Sequence, residues 1–174
     1  DIGADVVGLD ISREMLAQGR EKAVAAGVDD QIEFLRGDAS RLPFPDDHFD
    51  TVVAMRFFHL MDDPAPFLTE LRRVSSEQVI FDTFNARSLR VLYTWMLPMG
   101  SRLYAESQVA ELLADADLRL ANEQHDFVLP YGFYRGLPGS VAKPFRAVDS
   151  LLGRTIPGDY VATVSYWDAR LGDN

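Results

Sequence analysis

Two short apolar segments, each followed closely by an acid, constrain the fold of this chain most strongly. Val6–Asp10 ends in an acid, and Ile32–Arg36 is followed two positions later by Asp38. A helical segment separates them, and this alternation predicts parallel strands joined by a crossover helix. Because parallel strands end at one edge of a sheet, where α/β proteins bind ligands, both acids are expected there. A carboxylate can accept hydrogen bonds from ribose hydroxyls or an amine, so the pair indicates a nucleoside ligand.

The rest of the chain continues the α/β pattern. Ser12 predicts the start of a helix over residues 13–26, and Gly27 predicts its end. Further strands are predicted over residues 49–55, 78–81, 120–129 and 160–167, and further helices over residues 64–74, 86–98, 105–116 and 141–152.

Composition limits the classes of partner. The 174 residues fit one domain, and 47% of them are hydrophobic, which is enough for a sizeable core. The net charge is −10, with 19 Asp against 8 Glu and 15 Arg against 2 Lys. This bias is typical of salt-adapted proteins or of a GC-rich genome, and both interpretations stay open. An acidic surface repels phosphate backbones, so no nucleic-acid partner is predicted.

Cysteine and histidine limit the chemistry further. The chain has no Cys, which excludes disulfides and Cys-ligated metals and fits a cytoplasmic protein. His48, His59 and His125 are widely spaced in the sequence and predict no metal site. No apolar run reaches the roughly 18 residues that a membrane span requires, so no span is predicted.

The motifs resemble those of a known family. The segment GLDIS at 8–12, followed by ML at 15–16, and the segment GDA at 37–39, followed by LPF at 42–44, resemble class I S-adenosylmethionine-dependent methyltransferases. The likeness is to the branch that includes the quinone-biosynthesis methyltransferases, and it is specific over residues 5–82. It implies an α/β Rossmann-like fold with a mostly parallel sheet and an antiparallel C-terminal hairpin. It also implies one methyltransferase domain over residues 1–174, with a helical lid-like insert at about 84–104.

The resemblance implies roles for the residues at the strand ends. Asp10 would hold the ribose of S-adenosylmethionine, Asp38 would accept from the adenine amine, and the Ala39 backbone N–H would donate to a ring nitrogen. From the residues alone, Asp10 could instead cap the following helix, and Asp38 could be an ordinary loop acid.

Other implied site residues are less specific. Ile11 and Met15 would pack on the adenine ring, although ordinary core packing explains them equally well. Met55 would line the cofactor. Arg56 could pair with a substrate carboxylate or enolate, or with a nearby Asp. His59 is a weak candidate for a general base, because its reference pKa lies near neutrality, and a structural donor role is the alternative.

Aromatic bulk in the second half of the chain suggests the substrate. The apolar segment 91–104 is a candidate for the substrate side, as are four aromatic residues, Phe127, Tyr131, Phe133 and Tyr134. They favour an apolar or aromatic small molecule such as a quinol, a phenol or a lipid. Simple core packing or a homodimer interface would explain the same residues.

Two departures from the family pattern create expectations. The family's first strand and Gly-rich loop have no counterpart here, so roughly 40–50 further residues are expected before position 1. The usual glycine turn before the strand at 78–81 is replaced by Ser-Ser-Glu-Gln at 75–78.

A noncatalytic nucleoside-binding or interaction protein of the same fold is the main alternative function. A nicotinamide-dependent oxidoreductase is disfavoured, because the sequence lacks a Tyr-x-x-x-Lys pair.

Overall fold

The chain divides into two compact units, Asp1–Pro45 and Asp46–Asn174. The computed structural model describes residues 3–88, 102–126 and 162–172. Strands alternate with helices in both units, which confirms the α/β class. Each unit has a sheet of its own, with two strands in the first unit and four in the second.

The first unit is a strand–helix–strand arrangement. It consists of β1 (Val6–Asp10), α1 (Arg13–Ala26), a 3-10 turn (Asp29–Gln31) and β2 (Ile32–Arg36). The two strands are parallel and in register from their first residues to their last. As the sequence predicts, α1 follows Ser12, whose Oγ accepts from the Met15 N–H at 3.2 Å. It ends at Gly27, whose φ of 67° lies in the left-handed region that favours glycine.

The core of the first unit is thin. From α1, only Leu16 and Ala23 are buried. Gly19 allows the helix to approach β2 closely, because a Cβ there would lie 2.7 Å from a ring carbon of Phe34. Arg20 donates to the Phe34 carbonyl at 3.0 Å, and its guanidinium lies 5.3 Å from the centroid of the Phe34 ring. Close backbone approach and one cation–π contact thus supplement a small buried apolar surface.

The second unit contains a mixed four-stranded sheet. Its elements are β3 (Phe49–Ala54), a 3-10 turn (Phe58–Leu60), α2 (Ala65–Val74), β4 (Ser75–Phe84), α3 (Glu106–Asp115), β5 (Leu118–Asp126) and β6 (Val164–Leu171). The strand order is β3-β4-β6-β5. β3 and β4 are parallel, while β6 is antiparallel to β4 and β5, which confirms the antiparallel C-terminal pair. β3, β4 and β5 therefore end at the edge where β6 begins.

Aromatic rings build the core of the second unit. Phe58 and Phe81 are fully buried and stacked, with ring centroids 4.5 Å apart. Phe67 of α2 contacts Phe58 edge-on at 5.4 Å. Trp167 of β6 is also buried, and its Nε1 donates to Thr83 Oγ1 at 2.8 Å. The buried indole N–H therefore has a hydrogen-bond partner, as burial of a polar group requires.

Several predicted boundaries were wrong within the second unit. The residues expected to form a turn at 75–78 begin β4, which is longer at both ends than the predicted 78–81. The Ser75 hydroxyl donates to the Gln78 carbonyl at 2.8 Å, so side-chain bonding replaces the usual glycine turn. β6 occupies Val164–Leu171 rather than 160–167, while β5 begins two residues earlier than expected.

The predicted helix at 86–98 does not begin at residue 86. Residues 86–88 form a turn, because the Asn85 side chain accepts from the Arg87 N–H at 2.8 Å and the Ser88 hydroxyl donates to the Asn85 carbonyl at 2.7 Å. The remainder of that helix, most of the expected insert at 84–104 and the predicted helix at 141–152 lie outside the described residues.

Candidate functional site

The first unit places two acids at the carboxyl edge of its parallel strand pair. Asp10 is the last residue of β1, and Asp38 follows the end of β2 by two positions. The Gly37 N–H donates to the Asp10 carbonyl at 3.2 Å, which ties the two strand ends together. The predicted placement of both acids at one edge is therefore what the first unit shows.

Local hydrogen bonds orient each carboxylate. Asp10 Oδ1 accepts from the Ser12 N–H at 2.8 Å. Asp38 Oδ1 accepts from the Ser40 N–H at 2.9 Å and from the Ser40 hydroxyl at 2.8 Å. The backbone and hydroxyl bonds from Ser40 lower the pKa of Asp38 below its ordinary value, so this carboxylate is ionised at neutral pH. In the described part of the chain, these contacts engage only Oδ1 of each acid.

Apolar side chains beside Asp10 are exposed. Ile11 is 64% exposed and Met15 is 55% exposed, so neither has the burial of a core residue. Both lie at or near the start of α1, and Ala39 lies between Asp38 and Ser40 in the turn after β2. An exposed apolar pair next to an oriented carboxylate is an arrangement in which a planar ring could pack.

The second unit has a strained turn at the end of β3. Met55 is 45% exposed, and Arg56 follows it with a φ of 58°. A left-handed conformation is unfavourable for a residue with a Cβ, by roughly 1–2 kcal/mol. The Arg56 N–H donates to Asp82 Oδ1, and this bond holds the turn. Of the two alternatives for Arg56, the structure shows a nearby Asp, although the contact is through the backbone.

Asp82 is the residue of this region that sequence reasoning missed. It is buried on β4, and burial raises its pKa, while the Arg56 N–H and the charges of His59 and Arg56 oppose that rise. A single acid in an apolar strand has no periodic signal in the sequence. Its position in β4, a strand that runs parallel to β3, is what explains its contact with the turn after β3.

His59 is anchored in the 3-10 turn that follows. Its ring lies 4.5 Å from the Phe84 ring, centroid to centroid, and its carbonyl accepts from the Arg102 N–H at 3.1 Å. The neighbouring Phe58 carbonyl accepts from the Tyr104 hydroxyl at 3.1 Å. His59 is thus fixed near Asp82, at the carboxyl edge of the sheet in this unit.

Several other predicted features lie mostly or wholly outside the described residues. Most of the segment 91–104 and all four candidate aromatic residues, Phe127, Tyr131, Phe133 and Tyr134, lie outside the described residues. Within residues 3–88, 102–126 and 162–172, no group of three or more His, Asp or Glu side chains could hold a metal ion. Among the same residues, none of the helices has the length and the hydropathy that a membrane crossing requires.

Sequence comparison connects the first half of the chain to methyltransferases. Residues 1–81 match the family model described as a methyltransferase domain. Phosphatidylethanolamine N-methyltransferase of Cereibacter sphaeroides is 42% identical over 82 residues, which are 45% of this chain and 40% of that protein. Demethylmenaquinone methyltransferase of Bacillus velezensis is 36% identical over 112 residues, which are 59% of this chain and 48% of that protein. The chain thus spans less than half the length of these curated relatives.

Structural comparison covers nearly the whole chain. A SAM-dependent methyltransferase from Methanosarcina mazei has a TM-score of 0.68 at 17% identity, covering 97% of this chain and 82% of that one. Magnesium protoporphyrin IX methyltransferase from Synechocystis, solved with bound SAH, has a TM-score of 0.65 at 14% identity, covering 95% and 64%. The [4+2]-cyclase SpnF has a TM-score of 0.66 at 18% identity, covering 98% and 67%. These likenesses confirm the Rossmann-like methyltransferase fold.

Proposed function

We propose that the whole protein transfers a methyl group from S-adenosylmethionine to a small molecule. The basis for this proposal is that the chain belongs to the class I S-adenosylmethionine-dependent methyltransferases, in the branch that includes the quinone methyltransferases. The observation that carries this proposal is the pair of oriented carboxylates, Asp10 and Asp38, at one edge of the first unit. Each uses Oδ1 for its own turn, so Oδ2 is the oxygen that would accept from a ligand.

The proposed cofactor contacts follow from these positions. Asp10 accepts from the ribose hydroxyls, Asp38 accepts from the adenine amine, and the Ala39 N–H donates to a ring nitrogen. The exposed Ile11 and Met15 pack on the adenine, which supplies the apolar cover that they lack in the first unit.

In this proposal, the second unit supplies residues that contact the methyl acceptor. S-adenosylmethionine supplies a methyl group that is already electrophilic, so the protein mainly aligns the acceptor and excludes water. Met55 lines the cofactor side, while Arg56 and His59 are candidates for contact with the acceptor. Asp82 holds the backbone of that turn in place through the Arg56 N–H.

The acceptor is proposed as an apolar or aromatic small molecule that is methylated on oxygen, carbon or nitrogen. The curated relatives are named for different acceptors, demethylmenaquinone and phosphatidylethanolamine, so their names alone do not choose between the three atoms. A cytoplasmic location and the absence of a nucleic-acid partner complete the proposal, and both rest on the cysteine-free and acidic composition. A homodimer interface is the alternative role proposed for the aromatic residues in the second half of the chain.

The test is ligand binding to the full-length protein by calorimetry. Asp10→Ala and Asp38→Ala should each weaken S-adenosylhomocysteine binding by about 5- to 100-fold, the usual effect of removing a charged hydrogen-bond acceptor. Asp30→Ala is the matched control, because Asp30 is an exposed acid of the same unit in the 3-10 turn before β2. Unchanged affinity in both site variants would reject the proposed site.

The fold alone does not choose methyl transfer. The structural likeness to a [4+2]-cyclase shows that proteins named for a different reaction have this fold. A noncatalytic nucleoside-binding or interaction protein would bind S-adenosylmethionine and transfer its methyl group to no acceptor. Incubation of the full-length protein with methyl-labelled cofactor and a panel of quinols, phenols, amines and lipids separates these functions.

A further inference from the structure

A side chain at the end of β2 contacts the turn that follows β1. Arg36 is the last residue of β2 and the in-register partner of Asp10. Its Nε donates to the Ile11 carbonyl at 3.0 Å, across 25 positions of sequence. The neighbouring Gly37 N–H donates to the Asp10 carbonyl at 3.2 Å. Two consecutive carbonyls after β1 are therefore held by two consecutive residues of the β2 end.

The Ile11–Ser12 peptide connects this contact to the Asp10 carboxylate. The carbonyl of that peptide accepts from Arg36 Nε, and its N–H donates to Asp10 Oδ1 at 2.8 Å. Because a peptide unit is planar, its carbonyl and its N–H cannot rotate independently. A donor that fixes the direction of the carbonyl therefore also fixes the N–H that orients Asp10. Hydrogen bonds in series polarise one another, so the first bond also strengthens the second.

The turn itself is short and exposed. Ile11 is the one residue between the end of β1 and Ser12, the N-cap of α1. Its side chain is 64% exposed, so packing contributes little to the position of its backbone. The hydrogen bonds from Arg36 and Gly37 are therefore well placed to determine the conformation of this turn.

The guanidinium of Arg36 also has an electrostatic effect on its surroundings. The pKa of Glu14 is lowered by a backbone hydrogen bond, by the Ser12 hydroxyl and, more weakly, by the charge of Arg36. Arg36 thus offers two separate properties at this strand end, a positive charge and an Nε–H donor. Substitution can remove these properties separately, which makes their roles distinguishable.

We propose that Arg36 is a positioning residue for the Asp10 carboxylate, acting through the Ile11–Ser12 peptide. This inference rests on the proposed function, in which Asp10 holds the ribose of S-adenosylmethionine. Arg36 keeps Asp10 Oδ1 engaged with the Ser12 N–H, and Oδ2 is then the oxygen left for the ribose hydroxyls.

Two variants of the full-length protein separate the donor from the charge. Arg36→Met removes both, whereas Arg36→Gln removes the charge and keeps an N–H donor the same number of bonds from the Cα. In calorimetry, Arg36→Met should weaken S-adenosylhomocysteine binding by about fivefold, the effect of one lost hydrogen bond, and Arg36→Gln by less than about twofold. Lys22→Met is the matched control, because it removes a cation from an exposed position of α1 and should leave the affinity unchanged.

The melting temperature distinguishes positioning from a general structural role. Arg36 is exposed, so both of its variants should melt within about 3 °C of the wild type. A loss of affinity that accompanies a general loss of stability would overturn the positioning role.

A double-mutant cycle tests whether Arg36 acts through Asp10. In the Asp10→Ala background, Arg36→Met should weaken S-adenosylhomocysteine binding by less than about 1.5-fold, because the carboxylate that it positions is absent. A loss in that background as large as in the wild-type background would show that Arg36 affects binding independently of Asp10. That result would overturn the inference.

The Ser12 amide proton provides a readout that needs no ligand. Loss of a hydrogen bond moves an amide proton signal upfield in the NMR spectrum and speeds its exchange with solvent. Both changes should occur at Ser12 in Arg36→Met and should be largely absent in Arg36→Gln. Asp10→Ala, which removes the acceptor itself, is the positive control. An unchanged Ser12 signal in Arg36→Met would show that this peptide is held without Arg36, and would overturn the inference.

The remaining outcomes separate this inference from the proposed function. Equal losses of affinity in Arg36→Met and Arg36→Gln would assign the effect to charge and overturn the positioning role. Full affinity in Arg36→Met would also overturn it and leave the proposed function standing. If the wild-type protein binds no S-adenosylhomocysteine, the proposed function is rejected, and the role of Arg36 in ribose binding is rejected with it.

Discussion

The two compact units differ in how they use apolar side chains. Among its described residues, the first unit buries Leu16 and Ala23, while Ile11 and Met15 are more than half exposed. The second unit buries stacked aromatic rings, with Phe58 and Phe81 fully inaccessible to solvent. The residues proposed to hold the adenosine therefore belong to the unit with the smaller core, whereas most of the stabilising burial belongs to the other.

Recognition and stability therefore depend on separate parts of the sequence. Short motifs at strand ends identify the family, and they need few buried neighbours. Burial of large rings determines the free energy of unfolding, and it can be reached by many sequences. Substitutions in the two units should consequently appear in different measurements, which makes the comparison testable.

The largest effect is expected in the aromatic core of the second unit. Phe58→Ala removes a fully buried ring that contacts both Phe67 and Phe81, and it should lower the free energy of unfolding by about 3–5 kcal/mol. Urea denaturation measures this loss. Leu60→Ala is the control, because Leu60 is 69% exposed in the same 3-10 turn and should cost less than about 0.5 kcal/mol. Similar losses in both variants would contradict the assigned core.

A smaller and local effect is expected in the first unit. Ser12→Ala removes the cap of α1 and should destabilise that helix by about 1 kcal/mol. Hydrogen exchange should become about fivefold faster in α1 and stay unchanged in β4, because regions can open independently. Gln18→Ala is an exposed control within the same helix. Equal acceleration in α1 and β4 would show that the units open together.

The two units should respond to acid in opposite directions. Burial raises the pKa of Asp82, so its contribution to stability is complete below the ordinary value of 3.8 and is lost as pH rises through the raised pKa. Hydrogen bonds lower the pKa of Asp38 and Glu14, so their contribution is present above their ordinary values and is lost as pH falls. Both changes in the free energy of unfolding should be smaller than the change caused by removing a core ring.

Denaturant titrations between pH 2 and pH 7 measure these opposite responses. Asp82→Asn should abolish the loss of stability with rising pH and keep an oxygen that accepts from the Arg56 N–H. Asp38→Asn should instead reduce the gain in stability that occurs as the pH rises. An identical pH profile for wild type and Asp82→Asn would contradict the buried setting of this acid.

The smallest effect is expected from salt, and it should not distinguish the units. If the Asp-rich composition is a salt adaptation, screening of the −10 net charge should raise the melting temperature by about 3 °C or more between low and molar KCl. Calorimetry at several KCl concentrations measures this change. A flat or falling curve would leave a GC-rich genome as the better account of the composition.

Local signals explain which parts of the fold were predictable. The limits of α1 follow from Ser12 and Gly27, whose effects depend only on the nearest turn of backbone. The end of β6 was missed, because Asp168, Arg170 and their apolar neighbours continue the strand by pairing with β4. The start of β4 was missed for a related reason, since Ser75 replaces a glycine turn through its own hydroxyl bond.

The candidate site shows the same limit. Asp10 and Asp38 were predictable because each follows a recognisable strand, and the parallel pairing of β1 and β2 places both at one edge. A contact between distant strands is different: the 2.9 Å contact of His125 Nδ1 on β5 with Ser165 Oγ on β6 depends on strand pairing across forty positions, which no local pattern encodes.

Because the backbone at Arg56 is left-handed, the side chain at this position can be removed without disturbing the main chain. Most replacements that delete a long cationic side chain also disturb the main chain beneath it. Glycine adopts a φ of 58° without steric cost, and the Asp82 acceptor for the N–H at position 56 would be retained. Arg56→Gly therefore subtracts a guanidinium from the carboxyl edge while leaving the turn in its present shape, so a change in acceptor preference would report on the guanidinium itself.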